Sequence, residues 1–145
     1  MTDLVTRVRT RATVLQPEIE LLVMRAALAC RYPNPGMIYR ELVRRVGEDG
    51  LGIFVGHENA SPMTLVVAIL PDSPLMMAPQ CPIVYSRGSR MLIRHVGERM
   101  REWVMAAGYD RVLSLSLTHS AAAWARSFRW LGEHKTLGTM IEVRF

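Results

Sequence analysis

The chain is poor in cysteine, almost devoid of lysine and without a long apolar run. Its two cysteines, Cys30 and Cys81, are too few for a disulfide framework or a cysteine-based zinc site. Such usage fits reduced thiols. The longest unbroken apolar stretch, Leu65 to Leu70, falls far short of a bilayer span, so no membrane partner is expected. Arg7, Arg9 and Arg11 near the start are followed by no apolar run that could act as a signal peptide, which argues against that route of secretion. His57, His95, His119 and His134 are scattered without metal-ligand spacing, and zinc is not expected. Ser114 and Ser116 lack a Gly-x-Ser-x-Gly elbow, which leaves a hydrolase without support.

What is present is enough for one domain. The chain has 145 residues, half of them apolar, and can bury a core over its whole length. Of eighteen basic residues only Lys135 is lysine, leaving seventeen arginines against thirteen acids and a net charge of +5. A GC-rich coding sequence would give this bias by itself. Arginine also grips carboxylates and phosphates with a planar fork, so the charge admits an acidic partner, a phosphate ligand or DNA without choosing among them.

The pattern along the chain alternates strands and helices. Residues 4 to 14 alternate apolar and basic, which predicts a half-buried strand with Arg7, Arg9 and Arg11 outward. Pro17 opens a helix whose buried stripe is Ile19, Leu22, Val23, Ala26 and Cys30. Tyr32 to Gly36 breaks it, and a second helix is expected over Met37 to Glu48. Leu51–Gly56 and Met63–Leu70 read as an antiparallel hairpin around the polar turn 57–62. A Pro-rich loop over 71–82 leads to a short strand, Ile83 to Tyr85. A long helix is expected over Ser89 to Ala107, stopped by Gly108, then a strand over Val112 to Leu117. Ser120 is placed to cap a further helix, and a last strand is expected over Thr139 to Phe145. The order β-α-α-β-β-β-α-β-α-β predicts a single α+β (mixed α/β) domain over 1–145.

Three segments carry a likeness. Tyr85-Ser86-Arg87-Gly88-Ser89-Arg90 leaves a strand and enters the long helix, Ala107-Gly108-Tyr109-Asp110-Arg111 ends it, and Ala121 to Leu131 precedes Gly132. Together with the element order they resemble the GNAT acyltransferase superfamily, whose fold is a central, mostly antiparallel sheet flanked by about four helices. The Tyr-Ser-x-Gly-Ser entry and the Trp-Ala-Arg-x-Phe helix are also similar to small GNAT-like proteins encoded among tailed-phage virion genes. The resemblance implies that Arg87, Gly88, Ser89 and Arg90 form the pyrophosphate loop for acetyl-coenzyme A. A helix N-terminus suits that task, because its unpaired N–H groups and positive dipole end face the anion.

The chain departs from the family pattern in several places. Arg90, Met91 and Leu92 stand where small residues are expected, and long side chains there crowd the phosphates. No carboxylate lies on the strands Met63–Leu70 or Cys81–Tyr85 to act as base. Phe128 stands where the family has a tyrosine that protonates the departing thiolate, and it has no proton to give. The expected function is therefore a non-catalytic structural or interaction component of a tailed-phage virion, with no cofactor and a degenerate acyl-CoA site. Its partners would be other virion proteins, in a ring or as an attached subunit, and its location the virion or the cytoplasm. Arg-rich faces would meet DNA or acidic surfaces. The alternative is a divergent N-acetyltransferase using acetyl-CoA, with Glu58, Tyr85 and Tyr109 as candidate acid–base residues. A basic nucleic-acid-binding domain is a further alternative.

Overall fold

The computed structural model describes residues 3–114. Their order is β1 (Asp3–Arg7), α1 (Arg11–Val14), α2 (Pro17–Ala29), α3 (Pro35–Arg45), β2 (Leu51–Glu58), β3 (Ser61–Ile69), β4 (Gln80–Ser86) and α4 (Arg90–Ala106). The helix expected over Ala121–Leu131, with Trp124 and Phe128, and the strand over Thr139–Phe145 lie outside the described residues, as does the second half of the strand expected over Val112 to Leu117.

The strands form one antiparallel sheet in the order β1-β2-β3-β4. Alternation along β2 and β3 sends Ile53, Val55, Leu65 and Val67 to the face covered by α2 and α3. Phe54, Val66 and Ala68 go to the opposite face, where Leu92, Val96, Met100 and Val104 of α4 cover them. Both faces of the central strands are thus buried, so Leu51 to Gly56 shows no polar alternation. Each fully buried Val or Leu contributes about 1.5–3 kcal/mol to holding these layers together.

The ends of these elements follow from their sequences. Pro17 sits at the start of α2 with Glu18 and Glu20 in the first turn, facing the positive helix end. Asn34 caps α3 by accepting from the Met37 N–H at 3.2 Å. Gly108, at φ +95°, supplies the left-handed residue that stops α4. The hairpin turn is tighter than expected: β2 runs to Glu58 and β3 starts at Ser61, leaving Asn59 and Ala60, both at positive φ, as a two-residue type I′ turn.

Two expectations are corrected at the start of the chain. The first strand stops at Arg7, and Arg11–Val14 is a helical turn capped by Thr10, whose Oγ1 accepts from the Thr13 N–H at 3.3 Å. Alternation up to Val14 coincides with this turn, which buries Val14. Arg7 does not face outward. Its guanidinium lies 5.1 Å from the centre of the Trp103 ring, and its Nη2 donates to the Leu51 carbonyl at 3.3 Å. Burial, followed by the nearby Arg9 charge, lowers its pKa.

β4 is longer than its apolar residues suggested, starting at Gln80 instead of Ile83. Gln80 is paired on both sides, with Ile69 of β3 and with a residue from beyond α4. After α4 the chain returns beside the start of β4, where Gln80 and Leu113 form a parallel bridge. Leu113 donates to Pro79 and accepts from Cys81, both at 2.8 Å.

Candidate acyl-CoA site

The Arg87–Arg90 loop is placed by strand pairing on one side and helix packing on the other. Thr64 pairs with Ser86, and the Arg87 N–H extends this ladder to the Met63 carbonyl at 2.8 Å. Buried Thr64 Oγ1 and Ser86 Oγ share a hydrogen bond of 2.8 Å. Ser86 Oγ also accepts from the Gly88 N–H at 3.2 Å, which turns the chain away from the sheet. Ser89 then caps α4, its Oγ accepting from the Leu92 N–H at 3.1 Å. The first half of α4 sits close on β2 because Gly56 has no side chain there. A Cβ at that position would lie 2.7 Å from Val96 and 2.9 Å from Leu92.

Glu58, the last residue of β2, reaches this loop. Its Oε2 accepts from the Ser89 N–H at 3.2 Å, and a Cβ on Gly88 would stand 2.9 Å from the same oxygen. A carboxylate at a helix N-terminus is stabilised there by the dipole and the open N–H groups. The N–H groups of Arg90 and Met91, next in the first turn, meet no acceptor among the described residues. Arg90 is exposed at the helix start, and exposed Arg87 lines a groove with Glu18 and Arg25 of α2 and Met63 of β3. The bulk expected to crowd this approach is smaller than the sequence implied, because Leu92 is fully buried under α4, leaving Arg90 and Met91 outside. Two open N–H groups at a helix start suit a diphosphate, while the third N–H is already held by Glu58.

The three acid–base candidates do not converge. Glu58 belongs to the loop end of the sheet, on the α4 side. Tyr85 lies on β4 and packs against the opposite cluster, under α2 and α3. Tyr109 follows the far end of α4, where it lines a shallow groove with Pro71, Asp72, Ser73, Pro74 and Met76. Phe128 lies outside the described residues. The sequence had Glu58 as a candidate base but gave no sign of its contact with Ser89, since that contact joins two distant parts of the chain.

Two groups near β4 escaped the sequence reading. Tyr32 donates its hydroxyl to the Pro82 carbonyl at 2.9 Å, fastening the α2–α3 connection onto β4. Half-buried Cys30 points its thiol at the Val84 carbonyl, 3.7 Å away. Cys81 is buried, and desolvation pushes its thiol pKa up to about 12, which suits an inert core thiol. Among the described residues no three His, Cys, Asp or Glu side chains are grouped to hold a metal ion. No helix among them is long and apolar enough to cross a membrane.

This arrangement recurs in solved structures. A ribosomal-protein-alanine N-acetyltransferase from Brucella melitensis superposes with a TM-score of 0.69, covering 100% of both chains at 8% identity. At so low an identity the likeness is one of fold. The chain has the GNAT fold. An aminoglycoside acetyltransferase from an uncultured soil metagenomic sample gives a TM-score of 0.66 at 10% identity, covering 99% of this chain and 97% of the other. A Clostridium acetobutylicum protein described as a predicted acetyltransferase, solved with acetyl-CoA, gives 0.67 at 10% identity, covering 98% and 96%. No protein-family model and no curated protein matches the sequence.

Proposed function

We propose that this GNAT-fold protein binds acetyl-CoA, its diphosphate on the Arg87–Met91 turn, and passes the acetyl group to an amine. The observation that carries the reading is the pair of N–H groups at Arg90 and Met91 that meet no acceptor among the described residues, at the start of α4 where Arg90 is exposed. In the reaction the amine nitrogen attacks the thioester carbonyl carbon, a C–N bond forms, the C–S bond breaks, and the thiolate takes up a proton. Such transfer rests mainly on positioning, so this chain's contribution begins with the loop that anchors the donor. Solved structures of this fold are named as an aminoglycoside acetyltransferase and a ribosomal-protein-alanine N-acetyltransferase, which makes an aminoglycoside and an alanine amine the acceptors to test.

The first experiment is calorimetric titration with acetyl-CoA, followed by release of free thiol in the presence of an aminoglycoside or an alanine-terminated peptide. Micromolar binding, near −8.2 kcal/mol, supports the reading. Arg87→Ala should then raise the apparent KM for acetyl-CoA with little change in kcat, because a phosphate contact is lost. An unchanged KM in an active protein would remove the loop from the site.

A second reading is favoured by the dispersal of Glu58, Tyr85 and Tyr109: the fold serves as a non-catalytic interaction module. Its placement in a tailed-phage particle is supported by the sequence likeness alone. Acetyl-CoA binding without thiol release for any amine would favour this reading.

A further inference from the structure

We propose that Glu58 is a built-in competitor for the anion-binding end of α4, setting how tightly the loop holds a phosphorylated ligand. The inference rests on the reading that the Arg87–Met91 turn takes the diphosphate of acetyl-CoA. Its ground is the Glu58 carboxylate itself, which already occupies one donor of that turn, the Ser89 N–H, at 3.2 Å.

The carboxylate is delivered by rigid structure. Glu58 is the last paired residue of β2, opposite Ser61, and the two-residue turn at Asn59 and Ala60 fixes the strand end. Phe54 and Gly56 precede it on the α4 face, and beyond the register shift at Gly56 and His57 the carboxylate still reaches the helix start, where it accepts from Ser89. A tethered anion of this kind acts at high effective concentration. None of the ion pairs among the described residues includes Glu58. The positive end of α4 is therefore its counterweight, and it is also what a phosphate needs.

Two consequences follow for a diphosphate on Arg90 and Met91. It must either displace Glu58 from Ser89 or settle beside a like charge, and both weaken it. Gly88 keeps the arrangement open, since a Cβ there would press on the Glu58 oxygen and on Leu92. Glu58 thus selects against phosphate charge and leaves the uncharged pantetheine arm of a ligand untouched.

The test compares wild type, Glu58→Gln and Glu58→Ala by calorimetric titration with acetyl-CoA and with S-acetylpantetheine, which carries no phosphate. Glu102→Gln, an exposed carboxylate in the last turns of α4, is the control for net charge. Glu58→Gln and Glu58→Ala should bind acetyl-CoA roughly five- to tenfold tighter than wild type, as expected for removing one like charge at a helix end. S-acetylpantetheine should bind all proteins alike, and Glu102→Gln should match wild type. Binding in the Glu58 variants alone would be the strongest support. Equal acetyl-CoA affinity in wild type and Glu58→Gln, or weaker binding in the variant, overturns the competitor and leaves the loop reading standing. A gain seen equally with S-acetylpantetheine, or with Glu102→Gln, also overturns it. No binding of acetyl-CoA to any of the proteins overturns the loop reading and the competitor together.

Discussion

Ala60 holds φ +66° beside Asn59 at +51°, a backbone state that costs an L-residue about 1–2 kcal/mol. Asparagine tolerates it and glycine adopts it freely, yet alanine stands at the second position of this turn. Ala60→Gly should therefore stabilise the protein by about 0.5–1 kcal/mol, the relief of strain less the entropy of a freer unfolded chain. A urea midpoint that stays put or falls would refute this. Cys81 makes a second residue-scale prediction. Its thiol titrates near 9.0 when exposed and is pushed up to about 12 in the fold, so it ionises first in the unfolded chain. Its stabilising contribution is complete below pH 9 and is lost between 9 and about 12. The loss should run at about 1.4 kcal/mol per pH unit and vanish in Cys81→Ala, as read from unfolding curves at several alkaline pH values. At this scale the sequence was a partial guide. Gly108 and Pro17 announce their positions by backbone chemistry, whereas Arg7 over Trp103 and Glu58 on Ser89 depend on partners brought from far along the chain.

Elements were more legible than residues. The stripe Ile19, Leu22, Val23, Ala26 is buried on α2 as its spacing required; of the α4 face expected from Ile93, Val96, Met100, Trp103, Val104 and Ala107, Val96, Met100 and Val104 are buried, Ile93 and Trp103 half-buried, and Ala107 is exposed at the helix end. The short β4 and the overlong first strand show where patterning stops. The start of β4 is bridged to Leu113, a pairing no local pattern encodes, and a turn of helix at Arg11–Val14 mimics alternation over four residues. The element most open to test is α4. Ser89→Ala removes the cap on the Leu92 N–H and should cost about 1 kcal/mol, measurable as a lower melting temperature. Ser89→Thr, which keeps a neutral acceptor at the cap, should recover most of that loss. No recovery would mean that the cap is not what Ser89 supplies.

At the scale of the molecule, fold and ligand binding are linked by mass action. If acetyl-CoA binds only the folded chain, ligand at a hundred times its Kd should add about 2.7 kcal/mol to stability, seen as a raised melting temperature. An unmoved melting curve would mean that the loop takes no such ligand. The element order made the GNAT fold readable from the sequence, because a full set of strands and helices in one order leaves few packings. The site was less readable, since its chemistry depends on which loops meet at the end of the sheet.

The sheet order also carries a history of assembly. β2 and β3 are neighbours in sequence and joined by the shortest of turns, whereas β1 must find β2 across three intervening helices. Closing that long loop is entropically slow, so the hairpin is expected to form early and β1 to dock late. Val5→Ala should then speed unfolding while leaving refolding nearly unchanged, and Ala60→Gly should act mainly on refolding. The reverse pattern in a stopped-flow chevron would reverse this order. A chain emerging from the ribosome would hold its first strand in waiting until the hairpin had been made.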